Sequence, residues 1–488
     1  MKKLLISIFS FIIFVTTFSS CDDDSIFYPK VKTANGVTTV SGIRAGGLEK
    51  ALLLRMRFIT NLVINDTIDS RDFETMRDEM PSLTSLDLSN ATIAAYNGYE
   101  GSGDTKVYRY AADAIPEYAF YNPVTTTANK TLSYIKLPNN IKSIKDFAFN
   151  RCSGLIGNLV IPESVKDTIG KSAFAFCENL TGLTLAPTKY IAESAFQGCT
   201  NLSAALLISD STFTIKPYAF AGCEKITSIS ISKNVSDIGT CAFYDCKALF
   251  TVDAANTTYL SSEGVLFNID QSILVQFPKG KTGNYILPSS VSSISPYAFA
   301  NCSGLSSVTI PATTSSIEDY AFSGCSGLSG NFIIPSGLSN IGMYVFDDCS
   351  KISGFTVDPL NTTFSFSDGA LLDTISFILK RCVQSKSGAY IVPSNITSID
   401  NSAFSNCALL TSVTIPETIS IIGKRAFYNC SGLTNIYAKA LTPIDLSGSI
   451  TAFDGVNFEK CYLHVPKTTS GIYSTAIGWN VFYNIIEN

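Results

Sequence analysis

The chain has 488 residues, of which 46% are hydrophobic and 15% are charged, and its formal net charge is −5. An acidic chain with so few cations lacks the basic footprint of nucleic-acid-binding proteins, so we expect no nucleic-acid partner. His464 is the only histidine and no C-x-x-C pair occurs, so we expect neither a metal nor another cofactor.

Residues 1–20 are typical of an export signal. A basic start, Met1 to Lys3, precedes an apolar run, Leu4 to Val15, which is too short to span a membrane. The small residues before Cys21 resemble a bacterial lipobox, and this resemblance implies cleavage there and lipidation of the Cys21 thiol. The alternative is an ordinary signal peptide with an incidental cysteine. A lipid at Cys21 would be the only membrane attachment.

The acidic run that follows, residues 22–24, resembles the surface-export signal of Bacteroidetes lipoproteins. The resemblance implies an outer-membrane lipoprotein exposed on the cell surface, and the alternative orientation faces the periplasm. We assign residues 21–45 to the lipid anchor and a tether, within which Asn35-Gly36 could form a tight turn between short strands.

Residues 46–95 are predicted to form an α/β N-terminal cap. A helical pattern covers Leu48–Arg57, and Asp69 or Ser70 can cap a second helix. Leu83–Leu88 is then a first strand of leucine-rich type. A solenoid needs such an end unit, because its terminal coil would otherwise expose apolar core.

Residues 96–440 contain a repeat, Ile-x-x-x-Ala-Phe-x-x-Cys-x-x-Leu-x-x-Val-x-Ile. Most steps between the phenylalanines are 22 to 25 residues, a period typical of a solenoid in which each copy is one coil. The closing part of each copy alternates apolar and hydroxyl residues, which indicates a strand with one face inward. The anchor phenylalanines are Phe120, Phe149, Phe174, Phe196, Phe220, Phe243, Phe299, Phe322, Phe346, Phe404 and Phe427.

Ten of the 14 cysteines share one repeat column, three residues after the anchor phenylalanine. An exported chain invites a disulfide interpretation. Equivalent positions of a solenoid stack and point the same way into the coil, so buried free thiols that pack as small apolar groups are the favoured interpretation. The column is Cys152, Cys177, Cys199, Cys223, Cys246, Cys302, Cys325, Cys349, Cys407 and Cys430.

Two steps between anchors are more than twice the usual length, and they match each other at an offset of 105 residues. A multi-coil block was therefore duplicated, and each copy is predicted to carry a β-hairpin insert, near 253–290 and 358–395. Residues 441–488 are assigned to a C-terminal cap with a last strand at Cys461–Pro466 and a closing helix over Ile472–Ile486.

From about residue 115 to residue 438 the repeat resembles the BspA-like leucine-rich repeats, also called the Treponema pallidum type. The resemblance implies a β-rich solenoid of right-handed leucine-rich-repeat coils of about 23 residues, with a parallel sheet, an α/β N-terminal cap and a C-terminal strand-helix cap. The family includes adhesins for host proteins and for neighbouring cells.

Residues that could carry catalysis are scarce. The sequence offers no Ser-His-Asp set and no phosphate-binding loop, and the Asp347-Asp348 pair falls in a turn where we expect it to be solvated. Two carboxylates facing each other across a cleft, as glycoside hydrolysis requires, are not supplied by any repeat column. We therefore expect a protein that is not an enzyme.

The column two residues before the anchor phenylalanine is rich in tyrosine. Tyrosines stacked along one edge could form a recognition strip, because the side chain combines apolar area with a polar tip. The alternative is packing between coils at a corner. The candidate strip comprises Tyr218, Tyr297, Tyr320 and Tyr344.

These observations favour a cell-surface lipoprotein that acts as a non-enzymatic binding or adhesion scaffold for host or microbial macromolecules, with a protein or glycan ligand. A structural or glycan-capture accessory lipoprotein of the envelope is the alternative. Asp-Ser/Thr motifs also resemble the O-glycosylation signal of Bacteroidetes exported proteins. The corresponding acceptors are Ser25, Thr67, Thr168, Ser211 and Thr374.

Overall fold

The structure, a computed structural model, describes residues 29–103 and 108–488. The chain winds about 19 coils into a β-solenoid with parallel sheets, which confirms the predicted class of leucine-rich-repeat coils of about 23 residues. The export signal, Cys21 and Ser25 lie outside the described residues. Within the described ranges, the structure contains no helix that is both long and apolar enough to cross a membrane.

Each coil has two strands and two turns, as the coil around Phe299 illustrates. A two-residue strand, Ser293–Ile294, leads into consecutive turns that bury Phe299 and Cys302, and a longer strand, Leu305–Thr309, follows. In the longer strand the leucine and valine are buried while the serines and the threonine are exposed. Leu305 and Val308 both reach the core because the register shifts at Ser306, and from Ser307 to Thr309 the side chains alternate, which leaves a hydroxyl-rich face outside.

The longer strands form one side of the solenoid, which we call the long-strand face. They pair in parallel with the strand of the next coil wherever the sheet is continuous. The strands are Asn61–Ile64, Ser85–Asp87, Tyr134–Lys136, Gly157–Val160, Leu180–Thr184, Leu206–Leu207, Ser228–Ile231, Leu249–Val252, Gly283–Ile286, Leu305–Thr309, Gly330–Ile334, Ile352–Val357, Gly388–Ile391, Leu410–Ile415, Asn435–Ala438, Tyr462–Val465 and Asn484–Glu487.

The short strands, most of which end at the column isoleucine, form a second parallel side, the short-strand face. Its members are Thr67–Ile68, Thr92–Ile93, Ala114–Ile115, Ser143–Ile144, Thr168–Ile169, Tyr190–Ile191, Thr214–Ile215, Asp237–Ile238, Ile273–Gln276, Ser293–Ile294, Ser316–Ile317, Asn340–Ile341, Ile378–Cys382, Ser398–Ile399 and Ile421–Ile422.

The phenylalanine column forms stacked rings in the core. Neighbouring rings from Phe120 to Phe243 lie 5.0 to 5.8 Å apart and nearly parallel. The backbone of each turn also reaches the next coil, as where Phe299 N donates to Ala321 O at 2.8 Å. The core is therefore continuous along the axis, and no coil buries its apolar side alone.

The column cysteines are buried and free, as the stacking argument predicted. The thiol also acts as a hydrogen-bond donor: the Sγ atom of Cys177 lies 3.1 Å from the carbonyl oxygen of Phe149, one coil back. The same contact recurs along the column, for example from Cys199 to Phe174 and from Cys325 to Phe299. Cysteine therefore fills a small apolar space and satisfies a buried carbonyl at the same position.

The N-terminal cap begins earlier than predicted, so the tether assignment is wrong for residues 30–41. Lys30–Ala34 and Val37–Ser41 form an antiparallel hairpin around Asn35 and Gly36, which both have positive φ as the tight turn requires. The second strand pairs in parallel with Asn61–Ile64 and extends the long-strand face.

Two helical segments complete the cap, namely Leu48–Leu52 with a 3-10 continuation at Leu53–Phe58, and Ser70–Asp78. Asp69 caps the second helix, and the buried Asp72 accepts hydrogen bonds from the backbone of Gly46, Leu48 and Asp69. Two further hairpins follow, with strands at Tyr96–Gly98, Tyr108–Tyr110, Tyr121–Asn122 and Thr127–Ala128.

Each long step contains a hairpin followed by a coil without the usual turns. Tyr259–Ser262 and Val265–Asn268 pair antiparallel in the first block, and Phe364–Ser367 and Ala370–Asp373 do so in the second. In the coil that follows, Phe277 and Cys382 stand where the anchor phenylalanine would be, since their amides donate to the alanine carbonyl of the next coil.

The C-terminal region continues the solenoid beyond residue 440, because Phe453 stacks on Phe427 at 5.2 Å. The predicted closing helix over Ile472–Ile486 is wrong. A four-residue helix, Ser470–Tyr473, is followed by turns and by a strand, Asn484–Glu487, that pairs in parallel with Tyr462–Val465. The fully buried Trp479 packs against Phe453 and closes the core.

Candidate functional site

The column that holds the candidate tyrosines has an unusual backbone conformation. All eleven residues two positions before an anchor phenylalanine have φ between 50° and 60°, although none is glycine. This left-handed region costs a residue with a Cβ atom about 1–2 kcal/mol. The column is Tyr118, Phe147, Ser172, Ser194, Tyr218, Cys241, Tyr297, Tyr320, Tyr344, Ser402 and Arg425.

Hydrogen bonds between coils offset this strain. At eight of the eleven positions the column amide donates to a carbonyl of the next coil, as in Tyr297 N to Asp319 O at 3.0 Å and Tyr320 N to Met343 O at 2.9 Å. The left-handed turn therefore directs the amide along the solenoid axis, where a stacked neighbour can accept it. The side chain of the same residue is left at the outer edge of the coil, where the tyrosines are half-buried.

Three of the four candidate tyrosines form a continuous stack. The ring centroids of Tyr297 and Tyr320 are 4.7 Å apart, and those of Tyr320 and Tyr344 are also 4.7 Å apart, with interplanar angles of 5° and 13°. Tyr244, which the column pattern missed because it follows its anchor phenylalanine, meets Tyr297 edge-on at 5.6 Å. We call Tyr244, Tyr297, Tyr320 and Tyr344 the tyrosine strip.

Tyr218 lies outside the stack, on the far side of Cys241. The Cys241 thiol is the main cause of a raised pKa at the Tyr218 phenol. The first insert lies between the coils of Cys241 and Tyr297. The coil that contains Phe277 has no residue with positive φ at the column position, so it interrupts the column. The stacked part of the strip therefore begins at Tyr297, after the insert, and Tyr244 contacts it from the coil before the insert.

The strip hydroxyls are held in the protonated form. Burial raises the pKa of Tyr297, Tyr320 and Tyr344, and neighbouring strip rings or Asp347 raise it further. At neutral pH the strip therefore offers hydroxyl donors and acceptors above an apolar base, at the spacing of successive coils.

At its far end the strip meets a cluster of charged residues. Arg381 is buried and contacts Asp347 at 3.3 Å, while its guanidinium also donates to the carbonyls of Ser402 and Ser405. The expectation that Asp347 is solvated is therefore wrong, because the second insert covers it. Burial raises the pKa of Asp347, although Arg381 opposes the shift. Asp348 is exposed, as predicted.

The residues considered for metal binding and for catalysis make the following contacts in the described part of the chain. Within residues 29–103 and 108–488, no group of three or more histidine, cysteine, aspartate or glutamate side chains could hold a metal. His464 is a half-buried strand residue that contacts Asn435 and Asn488 and stacks on Tyr437 at 4.4 Å. The Asp347–Arg381 pair holds two coils together rather than facing an open cleft.

The four described glycosylation candidates differ in accessibility. Thr67 is exposed, whereas Thr168 and Ser211 are half-buried. The Thr374 hydroxyl donates to the carbonyl of Thr363 inside the second insert. Modification of these four residues and of Ser25 stays a prediction.

Comparison with known proteins identifies the repeat. The family model for the BspA type leucine rich repeat region matches six copies, over residues 113–250, 274–380 and 378–487. No curated protein matches the chain.

Several solved structures similar to the chain are bacterial leucine-rich-repeat proteins. A leucine-rich repeat protein from Eubacterium ventriosum is 18% identical over 88% of this chain and 93% of its own, with a TM-score of 0.39. A leucine rich cell surface protein from Faecalibacterium prausnitzii is 17% identical over 95% and 98%, with a TM-score of 0.42. The leucine-rich repeat protein of T. pallidum is 18% identical over 48% and 81%, with a TM-score of 0.22. Because the family model covers more than half of its residues, the chain belongs to the BspA-type leucine-rich repeat family.

Proposed function

We propose that the protein is a non-enzymatic binding scaffold that contacts host or microbial macromolecules through the tyrosine strip. One observation carries the proposal. The column accepts serine at Ser172, Ser194 and Ser402 with the same positive φ, so corner packing alone does not require tyrosine. Three consecutive coils nevertheless carry tyrosines, and all three side chains are half-buried rather than buried. Such half-buried aromatic rows are typical of recognition surfaces.

The lipobox and the acidic run support the further proposal that Cys21 anchors this scaffold to the outer membrane, with the solenoid exposed on the cell surface as an adhesin. Protease treatment of intact cells tests the orientation. Cleavage of the solenoid without lysis is expected, and a chain that is cut only after lysis contradicts surface exposure.

A triple variant, Tyr297→Ser, Tyr320→Ser and Tyr344→Ser, tests the strip. Serine is the chain's own alternative at this column, so the backbone should be retained. The matched control removes three exposed tyrosines from the two strand faces, Tyr134→Ser, Tyr190→Ser and Tyr462→Ser.

Wild type and both variants are screened against immobilised matrix proteins and whole microbial cells. We expect at least one partner of the wild type to bind the strip variant about tenfold more weakly, the effect of losing about 1.4 kcal/mol of contact energy, while the control binds normally. Equal binding by the strip variant and the wild type refutes the strip.

A further inference from the structure

The first insert opens a cleft beside the tyrosine strip. The coil of Phe277 lacks the consecutive turns, so the described backbone of the Phe243 turns does not pair with that of the Phe299 turns, and side chains join them, as where Asn301 Nδ2 donates to the Tyr244 hydroxyl at 2.8 Å. The gap is a cleft of about 140 Å³ between Cys241 on one side and Ser295 and Pro296 on the other. It lies where the left-handed column passes from Tyr218 to Tyr297.

The second insert provides an internal comparison, because the duplicated block has the same gap in the same place. There the space is reduced to about 10 Å³. Larger side chains line it. Tyr344 is at the position equivalent to Cys241, Lys380 at that of Val275, and Arg381 at that of Gln276. The open cleft is therefore not an unavoidable consequence of the insert, since one copy fills it and the other does not.

The open cleft is uncharged but densely polar. None of its eleven lining residues is acidic, basic or histidine. Gln276 is only 7% exposed, and its amide nitrogen donates to the carbonyls of Phe277 and Ala298. This pattern fixes the orientation of the amide, and the hydrogen bonds of the described residues leave its carbonyl oxygen without a donor. The Gln276 side chain is therefore held in place, and its carbonyl oxygen is an acceptor that a ligand in the cleft can use.

Three hydroxyl groups complete the lining. Tyr259 accepts a hydrogen bond from Ile238 N at 2.9 Å, which leaves its own proton available to a ligand. Burial raises the pKa of this phenol, so the proton is retained at neutral pH. Thr240 and Ser295 add hydroxyls that can donate or accept. The cleft thus presents four polar groups around a small volume with an apolar floor that includes Ala242 and Phe243.

We propose that this cleft binds one ring of a neutral saccharide. A charged sugar would be desolvated with no opposite charge to pair with it. An uncharged peptide side chain has one polar end group and would leave several of the four polar groups unpaired, which costs binding energy. A sugar ring carries hydroxyls around its edge and can satisfy both the acceptor and the donors. The inference rests on the proposed binding function and names the ligand class for the surface beside the strip.

Two variants close the cleft with residues taken from the second block. Cys241→Tyr introduces the side chain that occupies the equivalent column position at Tyr344, where the backbone has the same positive φ. Thr240→Met introduces the equivalent of the exposed Met343 at a position that is itself exposed, so folding is not at risk. The matched control is the reciprocal change at the closed copy, Met343→Thr.

Saturation-transfer NMR and calorimetry with neutral oligomers of galactose, mannose and N-acetylglucosamine test the proposal, alongside sialylated and sulfated counterparts and uncharged peptides. We expect saturable binding of a neutral oligomer that weakens about tenfold or more in both cleft variants, because each displaces at least one hydrogen-bonded contact, and that Met343→Thr leaves unchanged. Unaltered melting curves show that the variants are folded, and Thr240→Met alone decides if Cys241→Tyr is not.

Four results overturn the inference: no binding of any neutral oligomer, equal binding by the cleft variants, preference for charged glycans, or preference for peptides. The strip proposal and the cleft proposal can be refuted independently. A protein partner lost on strip substitution without any saccharide binding refutes the cleft only, whereas cleft-dependent saccharide binding with an inert strip variant refutes the strip only.

Discussion

Removing Arg381 should destabilise the coils on either side of the second insert. The Arg381 and Asp347 side chains are only 7% and 11% exposed, and their charged atoms are 3.3 Å apart. Replacing Arg381 with glutamine, the residue at the equivalent position 276, leaves the Asp347 carboxylate buried without the cation that it contacts. Breaking a buried ion pair from one side costs about 3–5 kcal/mol.

Replacing Asp347 should lower the free energy of unfolding by less than replacing Arg381 does. Asp347→Asn leaves the guanidinium with two backbone carbonyl partners, at Ser402 and Ser405, so we expect about 1–3 kcal/mol. The double variant removes both charges, and its cost should fall below the sum of the two single costs by about 1–3 kcal/mol. Lys189→Gln, at an exposed pair 3.9 Å from Asp167, is the control and should leave unfolding unchanged.

The effect of Arg381→Gln should depend on pH. The pKa of Asp347 is raised by burial, so the folded state binds a proton at a pH where the unfolded state has released it. Stability linked to this group is thus present below the unfolded pKa, near 4, and is lost as pH rises through the folded value. Removing Arg381 raises the folded pKa further, so the cost should shrink as pH is lowered from about 7 to about 5.

Urea unfolding at several pH values measures the change in the free energy of unfolding for each variant. Hydrogen exchange across residues 378–405 shows whether the loss of stability lies in the coils around Arg381. Exchange should accelerate first in this segment, since solenoid coils unfold locally. A cost for Arg381→Gln that matches Lys189→Gln, or one that does not change with pH, would refute the assignment of a buried and energetically coupled pair.

Three further predictions follow from the core and the strip. In a chain carrying Cys21→Ser, the column thiols should resist an aromatic disulfide reagent at about pH 8 and react only after unfolding, because all of them are buried and burial raises the pKa of thiols such as Cys199 and Cys246 to about 12. Phenolate absorbance should show that the pKa of Tyr297 lies above the usual tyrosine pKa near 10. The stability linked to this phenol is therefore present below the unfolded pKa and is lost as pH rises through the folded pKa. Phe196→Ala should lower stability by about 3–5 kcal/mol in urea unfolding, since it interrupts a stack with rings at 5.4 and 5.3 Å.

The fold was predictable from the sequence because the core columns repeat without variation in chemical type. Isoleucine, phenylalanine and cysteine recur at fixed spacing, and a solenoid is the structure in which such columns bury one another. The terminal coils were harder to predict. Phe453 keeps only the Ala-Phe part of the repeat, and the closing strand at Asn484–Glu487 lacks the alternation that marks the others.

The left-handed column could not be recognised from residue type. A second left-handed column, two residues after the anchor, carries the expected glycine and asparagine, as at Gly198, Gly222 and Asn301. The column before the anchor holds tyrosine, serine and cysteine, which have no preference for positive φ. At eight of its eleven positions the amide is hydrogen-bonded to the next coil, and such tertiary contacts leave no local signature in the sequence.

The two duplicated blocks show how this solenoid separates stability from recognition. The anchor columns are retained in both copies, while a few positions at one edge have diverged: Cys241, Tyr244 and Gln276 in the first copy correspond to Tyr344, Asp347 and Arg381 in the second. The first set leaves an uncharged cleft beside the strip, and the second fills the same space and joins two coils through an ion pair. Because each coil is held mainly by its stacked neighbours, these edge positions can change without altering the core. Recognition should therefore be sought where equivalent residues differ between copies, and the invariant columns should govern stability alone.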